Sequence, residues 1–351
     1  MTPRWRVHMD IDPRMEMVYP SFVYTGLFEL ASTGEVDLSL RWRPYLDHFA
    51  NVIDVECLRE SSSRRLVFDI HDRSYDFSEA GLQTGDFYFK RCFHQPDVDH
   101  LPEPLRAKVR PFGPIFAPGA PQARVRLIMG ALTHAVPSKH AREAASNLRA
   151  YFGLPSLAAY SCPPDLERPA RVLLQTRLWT DKEVTGTPSA ADINQERVAL
   201  VRALRNALGD QHAGGIVDTP VARELCPDLV CSHDTRRDAY IATMHQCRVG
   251  IYTRGLHEST AWKLGEYLAS SLCIVSDGLR NTLTPPLEEG RHILTYSEPE
   301  ECVAHCRRLL DDADFAYAMA TANAQYYREH ASPPANLKRC FDVAFASEPT
   351  R

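Results

Sequence analysis

Glu258 and Glu266 stand eight positions apart in the run Gly255-Leu-His-Glu-Ser-Thr-Ala-Trp-Lys-Leu-Gly-Glu-Tyr-Leu-Ala269. On a continuous helix that spacing is just over two turns, so both carboxylates would share one face and could together grip a polyol. The flanking segments say how such a helix would be positioned. Cys247-Arg-Val-Gly-Ile-Tyr-Thr253 reads as a buried strand before it, and Ser271-Leu-Cys-Ile-Val-Ser-Asp277 as a second strand after it. In a strand, loop, helix, strand unit the loop leaving the first strand opens onto a ligand crevice. The following helix offers unpaired backbone N–H groups and a positive dipole end to an anion. An ordinary amphipathic helix with solvated acids is the plain alternative for any Glu pair taken alone.

A second cluster lies upstream, where the apolar strand Arg171-Val-Leu-Leu-Gln-Thr176 runs into Arg177-Leu-Trp-Thr-Asp-Lys182. A planar guanidinium grips phosphate oxygens as a fork and an ammonium acts on them as a point charge. Solvated surface cations are the competing reading. Taken together, the two clusters resemble the C-terminal half of glycosyltransferases of the GT-B fold, especially the group 1 class whose signature is two Glu separated by seven residues. Glu266-Tyr-Leu-Ala-Ser-Ser-Leu-Cys-Ile-Val matches that class in having small residues and then an apolar strand after the second Glu.

The resemblance implies an α/β chain of GT-B type, with two Rossmann-like doubly wound domains facing a central crevice. It implies that Glu258 contacts hydroxyls of the transferred sugar, that Glu266 holds the ribose, and that Arg177 and Lys182 hold the donor diphosphate. Ser259, Thr260, Ala261 and Lys263 would complete the donor site. The family carries glycines just after the first Glu; here small residues take their place and keep close backbone approach possible. The implied reaction moves a sugar from a nucleotide-diphosphate donor to a glycan, lipid-linked or small-molecule acceptor, with retained configuration, as in polysaccharide biosynthesis. Neither metal nor other cofactor is expected, because the cations and the helix amides would meet the charge on the leaving group. An inverting transferase, a sugar-nucleotide epimerase or a non-catalytic nucleotide-sugar binding protein are the alternatives.

Composition agrees with two α/β domains. The chain has 351 residues, 44% of them apolar, enough for two cores. A formal net charge of −5 without a dense basic stripe argues against nucleic acid as the main partner. The ten cysteines fall in no zinc-ligand spacing and read as reduced thiols of a cytoplasmic protein. Met1-Thr-Pro-Arg-Trp-Arg-Val-His lacks a signal-peptide core, and no apolar run nears the roughly 18 residues of a membrane helix, so any membrane contact would be peripheral.

Three segments follow from the punctuation. Residues 1–165 read as an N-terminal, acceptor-binding domain with a mainly parallel sheet, using strands at Trp5–Asp10, Val36–Arg41, Arg65–Ile70 and Gly85–Arg91. Ser161-Cys-Pro-Pro-Asp-Leu-Glu-Arg-Pro169 reads as a linker. Residues 166–332 read as the nucleotide-sugar domain, and 333–351 as a helix crossing back to the first domain. In the N-terminal half, Gly26 near a helix start could admit donor phosphates. Asp10 and Asp12 form a two-Asp motif facing an acceptor or, less in keeping with its place, a metal. His71 and Asp72 end a strand, where either could act as a base, although a histidine beside a strand is more often structural. Lys90 and Arg91 suit either an anionic acceptor or solvent.

Overall fold

The computed structural model describes residues 4–12, 16–43, 51–134, 141–184 and 188–346. The chain divides into two compact units: Met1–Ala159 with Arg280–Pro286 and Arg328–Arg351, and Tyr160–Leu279 with Leu287–Tyr327.

The first unit is built on six strands: β1 (Trp5–Ile11), β2 (Val36–Trp42), β3 (Val52–Arg59), β4 (Ser62–Asp69), β5 (Phe87–Lys90) and β6 (Val109–Pro111). Their spatial order is β2-β1-β3-β4-β5-β6. Pairing is parallel except at β3, which runs antiparallel to both β1 and β4. This hairpin strand is absent from the sequence reading. Asp54 and Glu56 interrupt its apolar pattern, and only in the sheet do Arg65 and Arg41 answer them. The helix Ser21–Ser32 packs against the helix Pro333–Phe345, and Gly26 lies at the crossing. A Cβ on Gly26 would come within 2.6 Å of Leu337 and 2.8 Å of the Pro333 carbonyl. Trp5 meets Phe341 with ring centroids 5.5 Å apart, and Lys338 reaches Glu35 at 2.6 Å, so the last helix is fixed by apolar and ionic contacts alike.

The second unit carries β7 (Val172–Thr176), β8 (His212–Ile216), β9 (Val249–Tyr252), β10 (Cys273–Ser276) and β11 (Ile293–Thr295), all parallel, in the order β11-β10-β9-β7-β8. β7, β9 and β10 are buried along their whole length, which explains the apolar runs Val172–Leu174, Val249–Tyr252 and Cys273–Val275: a parallel sheet is covered on both faces. The helices Ala190–Leu208 and Pro299–Asp311 cover the face bearing Val172, Leu174, Val249, Ile251 and Val275. On the opposite face Gly250 leaves room for Tyr267 of the helix Trp262–Ala269; an added Cβ would stand 2.8 Å from that ring. The sheet is therefore doubly wound.

Candidate active site

In the second unit the chain starts at β7, moves to one side with β8, and returns to the other side with β9. Strand order reverses between β7 and β9, so the loops leaving these neighbours diverge above their C-terminal ends, where open α/β sheets hold ligands. Arg177 and Lys182 lie on the first loop and Glu258 on the second. What holds the two loops together is Arg197, on the helix Ala190–Leu208. Its Nη1 donates to the Arg177 carbonyl at 2.7 Å and its Nη2 to the Arg254 carbonyl at 3.3 Å. Burial lowers the pKa of its guanidinium to about 10. One turn earlier, Asn194 closes a reciprocal pair with the backbone of Trp179, each bond 2.8 Å.

The helix expected over 255–269 begins only at Trp262. Glu258 precedes it, in a tight turn over Leu256–Glu258, so the two glutamates do not share a helical face. The physical reason is local closure. Gly255 N–H bonds to the Ser259 carbonyl at 2.9 Å, and Ser259 N–H to that of Leu256 at 3.1 Å. His257 and Glu258 both take left-handed backbone, with φ of 55° and 56°. Each such residue costs about 1 kcal/mol or more without glycine's freedom, and strain of this kind collects at functional sites.

The turn aims Glu258 into a cavity of about 690 Å³ whose wall also carries Glu196, Arg197, Arg254, Asp277 and Tyr296. Arg254 Nη1 donates to Glu258 at 3.2 Å, while its Nε and backbone N–H reach Asp277 Oδ2 at 3.3 and 3.0 Å. Burial raises the Asp277 carboxyl above its usual range, and Arg254 opposes this. The other oxygen, Asp277 Oδ1, is buried with no hydrogen-bond partner among the described residues. A buried acceptor of that kind suits a ligand hydroxyl or water.

Glu266 does not line this cavity. It is buried on the second turn of its helix, 3.3 Å from Arg237 Nη1, which also donates to Tyr160 Oη at 2.8 Å. Burial raises its carboxyl, against the pull of Arg237 and Lys263. Lys263 donates to the Gln175 carbonyl at the end of β7. Burial first, and Arg197 second, lower its ammonium from 10.5 to about 8, while Glu266 works in the opposite direction. Ser259 and Thr260 are buried, and Ala261 N–H donates to Tyr252 Oη at 3.1 Å, so these three tie the loop to the sheet. Arg177 is half exposed, pairs with Glu183 and lies 3.9 Å over the Trp179 ring. Lys182 is exposed on the turn between them.

The candidates of the first unit are engaged differently. Gly26 is corrected: the contacts with Pro333 and Leu337 close its open face, so it serves helix packing and not phosphate approach. Asp10 is buried and bonded to Arg41 at 2.7 Å and Arg43 at 3.5 Å, and Asp12 is buried beside it in the chain. Asp72 takes Arg91 at 2.5 Å and Tyr19 Oη at 3.4 Å. His71 donates its backbone N–H to Asp69 at 2.9 Å, and burial lowers its imidazole. Lys90 and Arg91 are buried and ion-paired, so neither is a surface contact for an anion. Among the described residues, no three His, Cys, Asp or Glu side chains converge as metal ligands.

Arg197, Arg254 and Asp277 are the site residues that the sequence reading lacks. For Arg197 a signal existed: with Asn194 it continues the buried stripe of Leu200, Val201 and Leu204, a polar pair where apolar residues belong.

Residues 222–339 match the family model described as Glycosyl transferase-like, a span holding β9, the Glu258 turn and the Glu266 helix but not β7 or Arg177. No curated protein matches the chain. Among solved structures, HepE of Anabaena in complex with UDP and glucose is 11% identical, with 96% of this chain and 99% of that one covered and a TM-score of 0.37. A glycosyltransferase from Rickettsia africae is 11% identical, with 77% and 67% covered and a TM-score of 0.40. WaaG, a glycosyltransferase of lipopolysaccharide biosynthesis, is 14% identical, with 74% and 63% covered and a TM-score of 0.39. Among the described residues no helix is long and apolar enough to cross a membrane.

Proposed function

We propose that this chain is a glycosyltransferase that takes a sugar from a nucleotide-diphosphate donor bound where the β7 and β9 loops diverge, and passes it with retained configuration to a glycan, lipid-linked or small-molecule acceptor. The observation that carries the reading is the strained Glu258 turn. It lies within the glycosyl transferase-like segment and presents its carboxylate to a cavity at the C-terminal edge of the parallel sheet.

In this reading Glu258 accepts from hydroxyls of the transferred sugar, and Asp277 Oδ1 is a second acceptor for them. As the glycosidic bond breaks and positive charge spreads over the ring, hydrogen bonds to a fixed carboxylate strengthen, so the turn contributes most in the transition state. The leaving diphosphate meets Arg177, Lys182, Lys263 and the first amides of the helix Trp262–Ala269. To receive the phosphate, Arg177 exchanges Glu183 for the ligand. Glu266 accepts from the ribose and shares Arg237 with it. No metal is needed in this scheme, because the side chains supply the positive charge, and turnover is expected to survive EDTA.

The test is a thermal-shift panel of sugar nucleotides followed by donor turnover. A ligand at 100 times its Kd should stabilise by about 2.7 kcal/mol. At least one nucleotide-diphosphate sugar should shift the midpoint and be slowly hydrolysed without acceptor. A shift without any turnover indicates a binding module, and no shift with any donor overturns the reading.

A further inference from the structure

The helix Arg124–His134 of the first unit has two apolar faces. One is used: Leu127 and Ala131 are buried, and Gly130 lets the helix lie against Trp42, whose ring stands 2.2 Å from where a Cβ would sit. The other carries Val125, Ile128, Met129 and Leu132, exposed by 74, 42, 56 and 53%. These four follow the i, i+3, i+4, i+7 rule and form one stripe. They are four of the eight large apolar side chains exposed among the described residues, so the stripe is not the scatter expected of an ordinary surface. It continues into an open groove of about 460 Å³, lined by Ile128, Leu148 and Phe152 and reaching the helix Ala141–Phe152.

The charge around this patch says what would cover it. The two helices carry Arg124, Arg142 and Arg149 against a single acid, Glu143, in a chain whose net charge is −5, and a fourth arginine, Arg126, is turned to the Leu38 carbonyl. Arg124 is fixed at the patch edge, its Nη2 donating to the Phe152 carbonyl at 3.0 Å and its guanidinium 5.6 Å from the Phe152 ring. Arg149 lines the groove itself. A second copy docked face to face would set these three guanidinium groups against three more. An anionic surface meets both features at once, since apolar side chains enter the acyl boundary while arginines stay among the headgroups.

We propose that the Val125, Ile128, Met129 and Leu132 stripe with its arginine rim docks the protein on an anionic lipid bilayer, the 124–134 helix lying in the plane of the interface. The test is co-sedimentation of the full chain with phosphatidylcholine vesicles, with or without about 30 mol% phosphatidylglycerol. Binding is expected to the anionic vesicles only, and to fall at least ten-fold when salt rises from about 0.1 to about 0.5 M. The double variant Met129→Glu with Leu132→Glu should abolish it, and Arg149→Glu should weaken it about five-fold or more. All three positions are exposed, so melting temperatures should hold. Equal partitioning onto both vesicle types, no partitioning, or full binding by the double variant overturns the proposal. So does a concentration-dependent dimer in light scattering that the same double variant dissolves. Because wild-type salt dependence needs no variant, the result stands even if a variant folds poorly.

Discussion

Lys90 and Lys263 both lie close to a parallel strand, yet their surroundings differ in a way that separates the two units. Lys90 is buried on β5. Its ammonium donates to Asp69 at 2.7 Å and to the Asp76 carbonyl at 2.5 Å, and Asp69 also takes Tyr88 Oη at 2.5 Å. Lys263 gives its hydrogen bond to a backbone carbonyl, and its ammonium is brought down to about 8. The same contrast runs through the neighbours: Asp10 with Arg41 and Asp72 with Arg91 are matched pairs, whereas Arg254, Glu258 and Asp277 border a cavity and leave Asp277 Oδ1 unanswered. Charge that is fully matched within the fold holds the fold together. Charge that stays partly unmatched at a strand edge is available to a ligand.

The largest effect should appear where matching is complete. Lys90→Met strands Asp69 in the interior, and removing one partner of a buried pair costs about 3–5 kcal/mol. Urea unfolding should show it, and a loss under about 1 kcal/mol would mean that Lys90 is no structural ion. At the open end of the comparison, Glu258→Gln should cut kcat about 10- to 100-fold with little change in donor affinity. Glu266→Ala should do the reverse, weakening the free nucleotide about ten-fold in calorimetry. Identical signatures from the two would merge the two proposed roles.

A smaller effect distinguishes strain held for function from strain without use. Glu258→Gly relieves the left-handed penalty and should raise unfolding free energy by about 1 kcal/mol while turnover falls. Lower stability would show that the carboxylate is structural. A last effect is in pH. Lys263 is depressed from 10.5 to about 8, so the folded chain gives up this proton first and stability rises with pH between those values, the penalty being complete below about 8. The cation offered to the donor is lost over the same rise. Donor kcat/KM should therefore fall as pH passes about 8, and nucleotide binding there should take up a proton. Lys263→Arg should lose both dependences.

Much of the second unit is legible in the sequence. Val172–Leu174, Val249–Tyr252 and Cys273–Val275 are runs of apolar residues and glycine because a parallel sheet buried on both faces leaves no polar side, and that signal survives in a bare string of letters. The glutamates and the Arg177 loop are visible for the same reason: they follow such strands. The first unit is harder. β3 alternates acids with apolar residues, and its meaning depends on arginines that only the sheet brings opposite.

Sequence by itself determined which side chains stand at the C-terminal ends of the parallel strands, since strand periodicity and loop position are local properties. Tertiary structure alone decided which of them remain available. Helical spacing put Glu258 and Glu266 on one face, but the Gly255 and Ser259 closure broke the helix between them, turning one to a cavity and burying the other beside Arg237. Gly26 looked open until Pro333 and Leu337, some three hundred residues on in the chain, closed over it. Arg197 acquired its place by bonding two loops that no spacing rule connects. Whether a charge is matched depends on groups distant in sequence, and those are neighbours only after the chain has packed.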